Sequence, residues 1–141
     1  MTRPIAQRIG VSSPQHTKSE PITLRFFVPG KPVGKAYRSS RGRLYLTKAA
    51  SEYQHRVRCR FLVAIGDMRL WDRPSKADVT LEVWFWPGPG KAPDEDNVLK
   101  CCQDALTALA YKDDAQVKDG QAHRMPTTGS PRTEVEVTWL T

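Results

Sequence analysis

Long apolar runs are missing from this chain. No stretch approaches the roughly 18–20 apolar residues of a membrane-spanning helix, and the first residues carry no apolar core of a secretory leader. The expected location is therefore the cytoplasm. Cysteine is scarce: Cys59, Cys101 and Cys102 are an odd set with no C-x-x-C pair. Adjacent cysteines such as Cys101 and Cys102 seldom bridge each other, so reduced thiols are expected and a disulfide framework is excluded. His16, His55 and His123 are scattered without zinc-ligand spacing. What remains is a chain of 141 residues with 39% apolar residues and a mean hydropathy of −0.54. That suits one soluble domain with a real core.

Charge is abundant and unevenly spread. The net charge is +7. Residues 31–60 hold nine basic side chains and one acid, Glu52, whereas residues 94–119 hold seven acids and three bases. A basic half beside an acidic cluster suits an enzyme that grips a polyanion while holding a metal ion, although a basic solvated surface gives the same sum.

The order of elements follows from periodicity. Residues 1–20 are polar, with two prolines and no repeat, and are expected to form a disordered tail ahead of a domain over 21–141. Residues 22–28 predict a strand ending at Pro29-Gly30. Residues 31–43, KPVGKAYRSSRGR, predict a basic loop carrying Lys31, Lys35, Arg38, Arg41 and Arg43. A short strand over 44–46 precedes Thr47, which can cap a helix whose Tyr53, Val57, Phe61 and Ile65 recur every four residues. Residues 67–76, with Trp71 and Pro74, predict a loop. Residues 78–86, DVTLEVWFW, alternate as a strand, with Val79, Leu81, Val83 and Phe85 on one face and Thr80, Glu82, Trp84 and Trp86 on the other. The two tryptophans are expected to pack or to make a dimer contact, with a DNA wedge as the lesser reading. A second helix over 97–109, with a Leu99, Cys102, Leu106 and Leu109 seam, and strands over 115–124 and 133–140 complete the chain. The expected fold is α+β: a small mixed β-sheet with two main helices packed on it, in a single domain.

The acids surround the second helix. Asp94 and Asp96 stand two apart at its start, Asp96, Lys100 and Asp104 are spaced by four on one face, and Asp113-Asp114 follows it. Carboxylates converging on one point repel unless a cation is present, and a hard ion such as Mg²⁺ prefers oxygen ligands. Such an ion can activate a water against a phosphodiester, with Lys100 placed to stabilise the phosphorane or to protonate the leaving oxygen. The plain readings stand beside this one. Asp96 could be a helix cap, Asp96 and Lys100 an exposed i,i+4 pair, and Asp113-Asp114 turn residues.

The full string PDEDNVLKCCQDALTALAYKDDAQV resembles the signature of RusA-type Holliday junction resolvases, D-x-D-N-x-x-K, then D-A-L, then D-D-x-Q. The upstream PGKPVGKA and the basic stretch after it are similar too, so the resemblance covers residues 22–140. It implies a homodimeric, Mg²⁺-dependent endodeoxyribonuclease, with Mn²⁺ as a substitute ion, that makes paired nicks across four-way DNA junctions and leaves 5′-phosphate ends. By motif position the metal-binding carboxylates fall on Asp94, Asp96 and Asp114 and the essential lysine on Lys100; these four are the catalytic set, with Asp104 and Asp113 in support. Lys31, Lys35, Arg38, Arg41 and Arg43 would hold DNA phosphates. The family is often carried by phages and prophages, which implies a bacterial cytoplasm and no membrane. The chain departs from the pattern in two places. LTALAYKDD lacks the glycine often found between helix and D-D, and AYRSSRGR stands where the family has an arginine-rich P-R-x-R loop. A junction-binding module without catalysis, or a less selective nuclease for flaps, forks or RNA, would carry much of the same sequence.

Overall fold

A computed structural model describes residues 21–68 and 76–140. The tail over 1–20 and the loop residues Trp71 and Pro74 lie outside the described residues. The elements are β1 (Ile22–Pro29), β2 (Tyr37–Ser40), β3 (Arg43–Leu46), α1 (Lys48–Met68), β4 (Asp78–Trp86), α2 (Glu95–Leu106), β5 (Val117–Arg124) and β6 (Arg132–Leu140).

Four strands form the main sheet in the order β1-β6-β4-β5. β6 runs antiparallel to both neighbours, and β5 runs parallel to β4 after the crossover through α2. The sheet is therefore mixed, as the pattern predicts. Alternation sends Leu24, Phe26 and Val28 of β1, Val79 to Phe85 of β4 at every second residue, and Val135, Val137 and Trp139 of β6 into one core.

Both helices cover this face. Thr47 caps α1, its Oγ1 accepting from Ala50 N at 3.2 Å, and Tyr53, Val57, Phe61 and Ile65 are all buried at the predicted period. α1 packs against β1, and α2 packs against β5 and α1. The buried stripe of α2 is wider than the predicted seam, taking in Val98, Cys101, Cys102, Ala105 and Leu106, while Leu99 and Leu109 are only partly covered. Burial pushes the Cys101 thiol up to about 11 and the Cys102 thiol up to about 12, so both stay protonated core residues.

Two expectations change. The basic stretch is not all loop: Tyr37–Ser40 is a strand that pairs with Arg43–Leu46, the short strand expected over 44–46, as an antiparallel hairpin separate from the main sheet. Its two-residue turn, Arg41-Gly42, has φ of 51° and 75°, the mirror-image turn that matches strand twist. α2 also ends three residues before the predicted Leu109, because Ala108 turns left-handed at φ 72° behind the cap residue Thr107.

Among the described residues, no helix covers the other face of the sheet. There the Trp84 ring lies between the Arg25 guanidinium, 4.4 Å away, and the stacked His123 ring, 5.6 Å away, while Arg132 covers Trp86 at 3.9 Å. His123 also meets Glu82 at 2.6 Å. The tryptophans are thus half-buried under charged side chains of their own sheet.

Candidate active site

The site is organised by α2, whose 12 residues span about 18 Å. Its cap position is Asp94, not Asp96: Asp94 O accepts the first helical hydrogen bond, from Val98 N at 3.0 Å. The Asp94 carboxylate makes no capping hydrogen bond, and the residue is exposed. Glu95 and Asp96 follow in the first turn. The positive end of the helix dipole offsets the crowding of these acids by about 0.3–1 kcal/mol each. Asp96 and Lys100 are both exposed, and no ion pair joins them.

At the other end of α2 a second acidic set gathers. Asp104, Asp113 and Asp114 line one cleft of about 470 Å³ together with Thr107 and Lys112. The D-D-x-Q segment folds locally. Asp113 Oδ1 accepts from Ala115 N at 2.9 Å, and Gln116 Oε1 accepts from the backbone N of Lys112 and Asp113 at 2.8 and 2.9 Å. Gln116 Nε2 donates to Ala77 O at 2.8 Å, which pins the turn to the start of β4. Asp113 is therefore a turn-forming residue, and Asp114 is left to the cleft.

The two carboxyls of this turn are unequal. The hydrogen bond from Ala115 N, then the one shared with Asp114, hold Asp113 below the usual carboxylate range. The bond to Asp113, with the charges of Asp113 and Asp104 behind it, holds Asp114 above that range. Acids arranged so that one favours its proton are acids that a divalent cation would neutralise.

The basic loop docks directly on α2. Lys35 N donates to Asn97 O at 2.9 Å, and Lys35 Nζ pairs with Asp104. That hydrogen bond, followed by one to Tyr37, raises the Lys35 pKa well above the usual lysine range. Gly34 sits so close that an added Cβ would stand 2.9 Å from Asn97 Cβ. Lys35 is thus committed to an acid 69 positions away, whereas Lys31, Arg38, Arg41 and Arg43 stay exposed.

The structure brings Asp104, Asp113 and Asp114 together and joins Lys35 to Asp104. It leaves Asp94 and Asp96 at the opposite end of α2, with Lys100 between; Asp96 and Asp104 are about 12 Å apart along the helix axis. Among the described residues no three His, Cys, Asp or Glu side chains stand ready-made around a single ion position. The donor chemistry nonetheless fits Mg²⁺, since every candidate ligand is a carboxylate and this ion keeps several waters. Two basic residues fall outside the motif reading. Lys112 lines the acidic cleft, and Arg124 Nη2 donates to Pro93 O at 3.4 Å beside Asp94. Lys112 directly precedes the two aspartates and was open to notice; Arg124 comes near only through the parallel pairing of β5.

Comparison with known protein families supplies a match. The family model described as Endodeoxyribonuclease RusA matches residues 29–138, a span that holds the docked loop, both helices and every acid named above. No curated protein matches the chain.

Proposed function

The chain belongs to the RusA family of endodeoxyribonucleases, and from that premise we propose that it is a Mg²⁺-dependent resolvase that nicks four-way DNA junctions in recombination and repair. The observation that carries this reading is the docking of the basic loop on the acidic helix. Lys35 N bonds Asn97 O, one residue from Asp96, so a phosphate held by the hairpin arrives beside Asp94, Asp96 and Lys100.

Asp94 and Asp96 at one end of α2, and Asp114 at the other, would hold Mg²⁺ at two separate positions; the ion when bound supplies an activated water and neutralises charge on the phosphate. Because Mg²⁺ keeps waters and needs only one or two carboxylates, the acids at each end of α2 suffice to seat an ion. Lys100, exposed one turn from Asp96, stabilises the negative oxygens of the phosphorane or protonates the departing 3′ oxygen. Attack by water at phosphorus with loss of that oxygen leaves a 5′-phosphate and a 3′-hydroxyl. Asp104 holds Lys35 and so orients the loop. Arg38, Arg41, Arg43 and Lys31 bind phosphates in a salt-dependent way. A two-fold homodimer presents two such sites to a two-fold junction, which accounts for paired nicks. The setting is the cytoplasm of a bacterial host.

The test is a synthetic four-way junction incubated with protein in Mg²⁺ or in EDTA. Symmetric nicks are expected only with Mg²⁺, and they disappear in Asp96→Asn while junction binding persists. Lys100→Ala should slow nicking by about 10²–10³-fold. Full cleavage by Asp96→Asn would sink the proposed role of that residue. A second reading, a junction-binding module without catalysis, draws on the spread of the acids along α2. It predicts binding with no nicks in either ion condition. Equal cutting of flaps, forks or RNA would mark a less selective nuclease.

A further inference from the structure

The β2–β3 hairpin stands apart from the main sheet, and every residue from Tyr37 to Tyr45 is exposed. A two-stranded ribbon is marginal alone, and among the described residues this one is held at its base. There Thr47 N donates to Ala36 O at 2.9 Å, Lys35 pairs with Asp104, and Leu46 packs on the core.

Register divides the ribbon into two chemically different faces. Residues directly opposite share a face, so Tyr37 and Leu46, then Ser39 and Leu44, lie on one side. Arg38 and Tyr45, then Ser40 and Arg43, lie on the other. Leu44 is 71% exposed, and Tyr37 and Tyr45 are about half exposed. A leucine so exposed, one residue from the turn of a ribbon with three arginines, serves no core. The arginines name the partner as a polyanion. An apolar knob on such an arm fits a nucleic acid whose bases are already open to contact.

We propose that the β2–β3 hairpin is a wedge for the branch point, with Leu44 against unstacked bases and Arg38 and Arg43 on the opposite face holding phosphates. This rests on the branched-DNA reading above and adds to it the element that distinguishes a branch from a continuous duplex. The continuous duplex offers phosphates to the arginines but no open base for Leu44.

The test uses four-way junctions with 2-aminopurine at the branch point, bound in EDTA, beside a linear duplex carrying the same base. The wild-type chain should raise fluorescence on the junction and not on the duplex. Leu44→Ala should keep its junction affinity within about threefold and the same salt slope but lose most of the rise, and Leu44→Met should restore it. The Arg38→Ala/Arg43→Ala pair should instead weaken binding to both DNAs and reduce the salt slope by about two. An undiminished rise with Leu44→Ala overturns the wedge. So does a salt slope that changes as much in Leu44→Ala as in the arginine pair. Nicking in Mg²⁺ is read on the same junctions: a wild-type chain that nicks without a fluorescence rise refutes the wedge alone. A rise without nicking upholds the wedge and refutes the catalytic reading.

Discussion

Gly34 is the residue at which the basic loop touches the acidic helix. A methyl group there would meet Asn97 Cβ at 2.9 Å and Pro93 Cβ at 3.6 Å, and neither atom can swing aside because both belong to the entry of α2. Gly34→Ala should therefore lift the loop, lengthening the Lys35 N to Asn97 O bond and parting Lys35 from Asp104. The expected cost is about 1–3 kcal/mol of stability, together with weaker junction binding. Urea denaturation and a binding titration check both, and a variant unchanged in each would mean that the loop and helix are not coupled. The residue types at this site were open to reading in the sequence, since the spacing of Asp94, Asp96, Lys100 and Asp114 marks the motif. The pairing of Lys35 with Asp104 was not: it joins residues from two distant segments, and no local spacing encodes such a contact. For the same reason Arg124, close to Pro93 through β5, escaped a reading by motif.

Among the elements, α1 and β4 were the most legible, because each buries one face at a strict period. Of the β2–β3 hairpin the sequence disclosed only β3, as a short strand over 44–46; β2 was hidden because YRSS is exposed throughout and lacks the alternation that marks a half-buried strand, and the turn is Arg-Gly rather than the more familiar Asn-Gly. The end of α2 was misjudged for a related reason. Leu109 continues the helical spacing, but the backbone has already turned at Ala108. Here alanine adopts the left-handed conformation that glycine takes freely. Ala108→Gly should relieve that strain and raise stability by about 1 kcal/mol, seen as a higher urea midpoint with an unchanged slope. A lower midpoint would show that Ala108 is well accommodated as it stands.

At the scale of the whole molecule, the class of fold was legible from the order of helical and strand patterns, but the strand order β1-β6-β4-β5 was not. Strand order depends on which distant segments pair, and β1 and β6 come from opposite ends of the described chain. Their register sets Ile22 beside Trp139 and Thr23 beside Thr138, so the edge strand of the sheet forms only after nearly the whole chain has been gathered. Closing so long a loop is costly in entropy and slows folding. The same adjacency makes the fold a natural candidate for circular permutation. A short linker from residue 140 back to residue 21, with new ends opened between the exposed Gly129 and Ser130, would turn β6 and β1 into neighbours in sequence while leaving every element intact. Such a permutant should refold faster than the parent in stopped-flow experiments; equal rates would mean that β1 docks after the rate-limiting step. The sheet would thereby trade its longest-range pairing for a hairpin, making the time at which its edge closes a matter of chain connectivity.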